Sequence, residues 1–333
     1  MRSLALLAAV AAALSLPVAA TTASAPAASG AVWAPDGKTV AFQEQTPDGR
    51  VDVYTVRADG TELRNVTADD KRAMLYTPQP APHYLPAWSP GARLAYVVDR
   101  GTYTQRVFEY WVANADGTAK HLVTTQATEQ RPSWSPDSVE LALESFEAIV
   151  TARVSDGAVR STIAPAGYAV WSPRDPRIAV SASARASSDN LDVYTVRADG
   201  SHRHRLTTAR GSDWPVAWSR DARRIVFATQ RLIAASNGRT HIVALYVMDA
   251  NGRHQHRVGT GEAADFSPNG ERVVYSDGKR VYVVGVDDRH RRLLVSDGVD
   301  PKWSPDGRWI SFTSGATVQL VRADGTGRRT LAP

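Results

Sequence analysis

Cysteine is absent from all 333 residues. That excludes disulfide staples, thiolate zinc sites, thiol nucleophiles and a lipid-modified N-terminal cysteine. Charge of one sign is also scarce. The 39 basic and 34 acidic residues are interspersed, leave a formal charge of +5, and form no long basic run. Such a balance argues against nucleic acid as the main partner. Lysine is rare, at five residues, so the high pI reflects arginine. Beyond the N-terminus no stretch is apolar enough to span a bilayer. A hydrophobic content of 43% nevertheless excludes a disordered chain, and the length suits one large repeating domain or two ordinary ones.

The N-terminus reads as an export signal. Arg2 supplies the positive start, Leu4 to Val18 is apolar apart from Ser15 and Pro17, and Val18-Ala19-Ala20 offers small residues to a signal peptidase. Residues 1–20 are therefore expected to be a signal peptide cut after Ala20, with Ala25 the weaker alternative because Pro26 follows it. Residues 21–30, rich in Ala, Ser and Thr, read as a flexible leader. The expected location is secreted or periplasmic, in the cell envelope.

What is abundant is repetition. An aromatic-turn signature recurs seven times, anchored at Trp33, Trp88, Trp134, Trp171, Trp218, Phe266 and Trp303, with a mean spacing of 45 residues. Its fullest form is Trp303-Ser304-Pro305-Asp306-Gly307. Ser, Pro, Asp and Gly in that order suit a type I turn. A β-branched or aromatic run follows, as in Thr39 to Phe42 or Ile310 to Phe312. A second signature ends each unit's third strand. Val53-Tyr-Thr-Val-Arg-Ala-Asp59-Gly60 has a near copy at Val193 to Gly200, and related forms end at Asp116-Gly117, Asp156-Gly157, Asn251-Gly252, Asp287-Asp288 and Asp324-Gly325. Asp-Gly between strand-like runs predicts a hairpin with a type I′ turn. A fourth strand follows, giving strands A to D in every unit. The expected fold class is all-β: a seven-bladed β-propeller of four-stranded antiparallel blades over residues 31–333.

The Trp-Ser-Pro-Asp-Gly turn, followed by a strand ending in Ala-Asp-Gly, resembles the TolB-like β-propeller repeat across essentially the whole chain after the leader. Blades 1 and 7 match best. Blade 4 has Arg174-Asp175, and blade 5 Arg220-Asp221-Ala222, where Pro-Asp-Gly belongs. The resemblance implies scaffolds that bind proteins in the cell envelope, substrate-filtering propellers of prolyl oligopeptidase relatives, or polysaccharide lyases. TolB itself would bring an α/β domain before six blades, which this pattern does not match. No Gly-x-Ser-x-Gly elbow is present, so no hydrolase domain is expected.

Short A–B and C–D turns occupy one end of such a ring, and the variable B–C and D–A loops the other. Function sits on variable loops held by a rigid scaffold. The candidate binding residues there are Tyr76, His83, Tyr84, Tyr103, Arg106, Arg131, Asp213, Trp214, Arg231 and His241, with Gln230 to Ile242 read as a long loop. The lyase alternative, acting on an oligogalacturonide-like substrate, would need His83, Gln130 and His241 to converge. His202-Arg-His204 and His254-Gln-His256 open strand D of blades 4 and 5, and are read as a solvated edge instead of metal ligands. So are the outer arginines Arg203, Arg205, Arg253, Arg257, Arg289, Arg291, Arg292, Arg328 and Arg329. The resulting expectation is a monomeric, non-catalytic module without cofactor or metal. Its partner is a protein or peptide, with a glycan as the alternative. Ring closure is expected by packing of blade 7 on blade 1, with residues 21–30 unpaired to blade 7.

Overall fold

The computed structural model describes residues 28–46, 51–68, 86–99, 107–128, 131–145, 148–184, 190–235 and 238–332. Blade 1 contains β1 (Ser29–Trp33), β2 (Thr39–Gln45), β3 (Val51–Arg57) and β4 (Arg64–Asn65). Blade 2 contains β5 (Ala87–Trp88), β6 (Leu94–Asp99), β7 (Phe108–Ala113) and β8 (His121–Ala127). Blade 3 contains β9 (Ser133–Trp134), β10 (Glu140–Ser145), β11 (Ala148–Arg153) and β12 (Val159–Ile163). Blade 4 contains β13 (Gly167–Trp171), β14 (Arg177–Ser183), β15 (Leu191–Arg197) and β16 (His204–Arg205). Blade 5 contains β17 (Ser212–Trp218), β18 (Arg224–Ala235), β19 (Gly238–Asp249) and β20 (His256–Thr260). Blade 6 contains β21 (Ala263–Phe266), β22 (Arg272–Ser276), β23 (Val281–Gly285) and β24 (Arg292–Val295). Blade 7 contains β25 (Val299–Trp303), β26 (Trp309–Ser314), β27 (Thr317–Arg322) and β28 (Arg329–Ala332). Each blade is one antiparallel sheet of consecutive strands, as expected, and none borrows a strand from another.

The core is seven layers between blades, not one centre. Strand B is apolar on both faces because both are buried, and its alternate residues serve opposite seams. Leu94, Tyr96 and Val98 pack toward blade 1, while Ala95 and Val97 pack toward blade 3. Ile225 and Phe227 face blade 4, and Val226 and Ala228 face blade 6. A period of two dictates this division. The anchors fill the seams. Trp33, Trp134, Trp171, Trp218, Phe266 and Trp303 are buried, and Trp88 is half-buried. Three of them also donate their indole N–H to the residue before the preceding anchor: Trp88 to Val32 O (3.2 Å), Trp134 to Ala87 O (3.0 Å) and Trp218 to Val170 O (2.9 Å).

The A–B turn shows why Ser and Asp recur. The Ser304 hydroxyl donates to Asp306 (2.6 Å) and accepts from the Trp309 N–H (2.9 Å); Ser219 does the same with Asp221 and Arg224. The C–D turn differs from the type I′ expectation. Gly60, Gly117, Gly200 and Gly325 have positive φ, but the aspartate before each does not. Instead Asp59 and Asp324 accept from N–H groups two residues on, Thr61 and Thr326, both at 2.9 Å. The carboxylate holds the turn and leaves only glycine in the left-handed region.

Three further expectations change. The outer edge is not simply solvated, because its side chains clasp neighbouring blades. Thr55 donates to Ala115 O (2.9 Å), Arg292 to Ala323 O (2.6 Å) and Arg329 to Ala58 O (2.5 Å), and Ser161 donates to Ala198 O. His121 contacts Val154 O (2.7 Å) and His256 contacts Val286 O. The acceptors lie at the C–D turn of the next blade. Gln255 bridges the remaining seam to Leu206 O (2.8 Å). The histidine pairs are also not strand pairs. His202 and His254 sit in turns with φ of 54° and 55°, and only His204 and His256 begin strands. Finally, the first strand starts at Ser29 instead of 31, and buried Ala28 donates to Ala316 O of blade 7 (2.9 Å). The expectation of a leader unpaired to blade 7 therefore fails at Ala28.

Candidate functional site

Strand A lines the central channel, so its residues decide what the ring presents. Three inner strands carry a bulge at the residue three before the anchor: Gly30, Tyr168 and Asp300. All three have positive φ, at 69°, 46° and 50°. Left-handed backbone is costly for tyrosine and aspartate, and bulges of this kind re-aim side chains beside binding sites. Tyr168 stays 42% exposed and stacks on Trp214 of β17, with ring centroids 6.0 Å apart and planes at 28°. The Tyr168 N–H donates to Glu144 on β10 (3.3 Å).

A cavity of about 260 Å³ lies inside the ring beside this pair, lined by Arg131, Ser133, Glu144, Tyr168, Val216 and Lys302 among others. Arg131 enters just before β9. Its guanidinium lies beside Gly30, 3.7 Å from where a Cβ would stand. Lys302 reaches in from β25 and donates to Ala264 O (3.4 Å). Asp265 on β21 accepts the Trp303 N–H (2.8 Å). These groups keep part of their surface open to the channel, yet protein encloses them. Burial pushes Arg131 and Lys302 down from their usual values, opposed by the charges of Asp265 and Asp300. Burial raises Asp265, opposed first by Lys302. It raises the Glu144 carboxyl and the Tyr168 phenol too, the latter further raised by the charge of Glu144.

The same end of the ring carries a groove of about 630 Å³ lined by Thr260, Glu262, Ser276, Asp277 and Asp300. The opening thus has an aromatic wall, a cationic floor and an acidic flank. At the opposite end the A–B turns crowd together. A Cβ on Gly37 would lie 3.7 Å from Pro305, and one on Gly307 3.5 Å from Pro268. Arg174 donates to Arg220 O (2.9 Å) there.

Of the candidate residues, Arg131 and Trp214 meet at this site. Asp213 does not: it is fully buried in β17, opposite Thr229, and cannot touch a partner. Arg231 and His241 lie on strands, not in a loop. The β18–β19 hairpin pairs Arg231 with Ile242 and Leu232 with His241. Tyr76, His83, Tyr84, Tyr103 and Arg106 lie outside the described residues, as does Gln130. Sequence reasoning missed Tyr168, Glu144 and Lys302. Their signal was position: Tyr168 and Lys302 stand three and one residues before an anchor, on the channel strand. Among the described residues no group of three or more His, Asp or Glu side chains could hold a metal ion. None of the described residues forms a helix long and apolar enough to cross a membrane.

Seven four-stranded blades around a polar channel define a β-propeller. Residues 87–276 match the TolB beta propeller domain, more than half of the chain, and the chain belongs to that family. Several solved structures share the fold. The β-propeller domain of the Trilobed protease from Pyrococcus furiosus is 14% identical, covering 92% of this chain and 98% of that one, with a TM-score of 0.65. That domain is described as having an open velcro topology. Oligogalacturonate lyase from Vibrio parahaemolyticus is 12% identical over 90% of this chain and 86% of its own, with a TM-score of 0.58. TolB from Acinetobacter baumannii is 17% identical, with coverages of 87% and 78% and a TM-score of 0.51. Likeness at these identities is likeness of fold. No curated protein matches the chain.

Proposed function

We propose that this protein is an exported, non-catalytic recognition module, and that a segment of a partner protein docks at the open end of its channel. The observation that carries this reading is the exposed Tyr168 ring stacked on half-buried Trp214, beside a cavity lined by Arg131 and Lys302. Aromatic and arginine side chains dominate interface energies because they bury large area at modest entropic cost. Cationic floor and acidic flank side by side suit a peptide of mixed charge better than a uniformly charged polymer. Membership of the TolB propeller family supports the same reading. The export signal expected at residues 1–20 supports a partner in the cell envelope.

A pull-down from envelope extract with wild type beside a Tyr168→Ala/Trp214→Ala variant tests this reading. Loss of a true anchor costs on the order of 2 kcal/mol or more, roughly thirtyfold in affinity. The variant is therefore expected to lose the partners that wild type recovers. Equal recovery by both forms sinks the assignment of this face. Incubation with oligogalacturonides and divalent manganese separates the lyase alternative. Formation of unsaturated products, abolished by His83→Ala or His241→Ala, would make the protein an enzyme instead.

A further inference from the structure

A concavity larger than either of those at the channel opening lies elsewhere, between blades 6 and 7 at the A–B/C–D end. It measures about 1150 Å³, and its lining includes Arg224, Arg272, Arg292, Arg308 and Arg322. Its three carboxylates are already engaged. Asp287 accepts the Arg289 N–H (3.1 Å), Asp324 accepts from Thr326 (2.9 Å), and Glu271 accepts from Asn269 (2.7 Å). Two of the arginines are committed as well: Arg224 donates to Gly270 O (2.9 Å) and Arg292 to Ala323 O (2.6 Å). The other three have no close carboxylate pair, although Arg322 lies over the Trp309 ring (5.5 Å). Arg272 and Arg322 are exposed and have no carboxylate within 4.0 Å among the described residues. Arg308 is 82% exposed, and its nearest carboxylate is Asp306 at 3.9 Å.

At comparable turn positions elsewhere some arginines are paired, whereas Arg223 is as open as Arg308, 3.9 Å from Asp221. Arg177 forks onto Asp175 at 2.9 and 2.8 Å, and Arg153 meets Asp156 at 2.7 Å. Three open guanidinium groups line this one groove. The groove offers a protein partner no free aromatic anchor, because Trp309 is already covered by Arg322 (5.5 Å) and Arg329 (4.8 Å). Guanidinium forks bind anionic oxygens in pairs. Arg272 comes from β22 of blade 6, Arg322 from β27 of blade 7, and Arg308 from the turn before β26. Forks approaching one concavity from different elements match the tetrahedral oxygens of phosphate better than a planar carboxylate.

We propose that this groove is a second binding site, and that it takes a linear phosphate-bearing polymer. The site is separate from the channel opening and does not depend on the role assigned there. Linear inorganic polyphosphate is the probe, with polygalacturonate and polyglutamate as carboxylate polymers for comparison. Wild type is expected to bind polyphosphate more tightly than either carboxylate polymer, with affinity falling as salt rises. Arg272→Ala/Arg308→Ala should weaken binding at least tenfold, and the single, highly exposed Arg308→Glu should do the same. Arg160→Ala/Arg253→Ala removes equal charge from blades 3 and 5 and should change affinity less than twofold. Three results overturn the proposal: no polyphosphate binding by wild type, equal losses in the two double variants, or carboxylate polymers binding as tightly as polyphosphate.

Discussion

The last residue of the A–B turn takes left-handed backbone in six blades, at Gly37, Ala92, Ser138, Ala222, Gly270 and Gly307, with φ between 58° and 73°. Glycine accepts that conformation without a Cβ clash, whereas alanine does not. Ala92 is exposed and its methyl packs on little, so Ala92→Gly should stabilise the protein by about 0.5–1 kcal/mol. Ala222 is buried in the seam between blades 4 and 5, and there the methyl offsets part of the strain. Thermal unfolding reads the difference, and an unchanged or lower midpoint for Ala92→Gly contradicts the strain argument. A second residue sets an acid response. Asp297 is held by two bonds from Arg328, at 2.6 and 2.8 Å, and one from Ser314, at 2.8 Å. Those bonds lower its carboxyl from 3.8 to about 2. A depressed carboxylate contributes stability above the unfolded value that is lost as pH falls through the folded one. The contribution is small for so exposed a pair. Wild type should therefore be more stable than Asp297→Asn at pH 5, and the gap should close between pH 4 and 2. A gap that stays constant over that window would remove Asp297 from the acid response.

At the scale of elements, strand count, order and pairing were legible because each signature has a local physical cause. The Trp-Ser-Pro-Asp-Gly run encodes a turn that its own side chains close, as Ser304 and Asp306 show. Two errors have other origins. The Asp-Gly turns use the aspartate side chain as a backbone acceptor, so a rule about positive φ at both positions misjudged Asp59 and Asp324. The Gln230 to Ile242 segment was read as a loop on its length, although Asn237-Gly238 between β-branched runs is itself a hairpin signal. Two 12-residue strands result. The site was only partly legible. Arg131 and Trp214 followed from their place in D–A segments, but Tyr168 depends on a bulge, and a bulge is set by pairing with the next strand. Asp213 and Trp214 are sequence neighbours with opposite fates, because alternation along β17 buries one and turns the other toward Tyr168. Two of the outer arginines misled for a related reason: the acceptors of Arg292 and Arg329 are carbonyls of the next blade, far away in sequence.

Ring closure belongs to the whole molecule. Six seams join blades that follow one another along the chain, so a connector limits how far each can open. The seam between blades 7 and 1 has no such tether, and no strand is exchanged across it. What holds it is a layer of Ala31, Trp33, Val40 and Phe42 against Val318, Leu320, Leu331 and Ala332, with Ala28 bonded to Ala316 O. Arg329 adds the clasp to Ala58 O at 2.5 Å. An untethered seam opens at the cost of its contacts alone, whereas a tethered one regains part of that cost through the high effective concentration of its connector. Losing an exposed hydrogen bond from a charged donor costs about 1 kcal/mol. Arg329→Met keeps most of the aliphatic stem and removes the donor. It should lower global stability by about that amount, and it should speed amide exchange in β1 and β28 ahead of β14 and β18. Arg292→Met removes the equivalent clasp from the tethered seam between blades 6 and 7, so its effect on local exchange should be smaller. If the two variants raise exchange equally at their own seams, the tether is irrelevant, and the ring is held by side-to-side packing of equal strength all round.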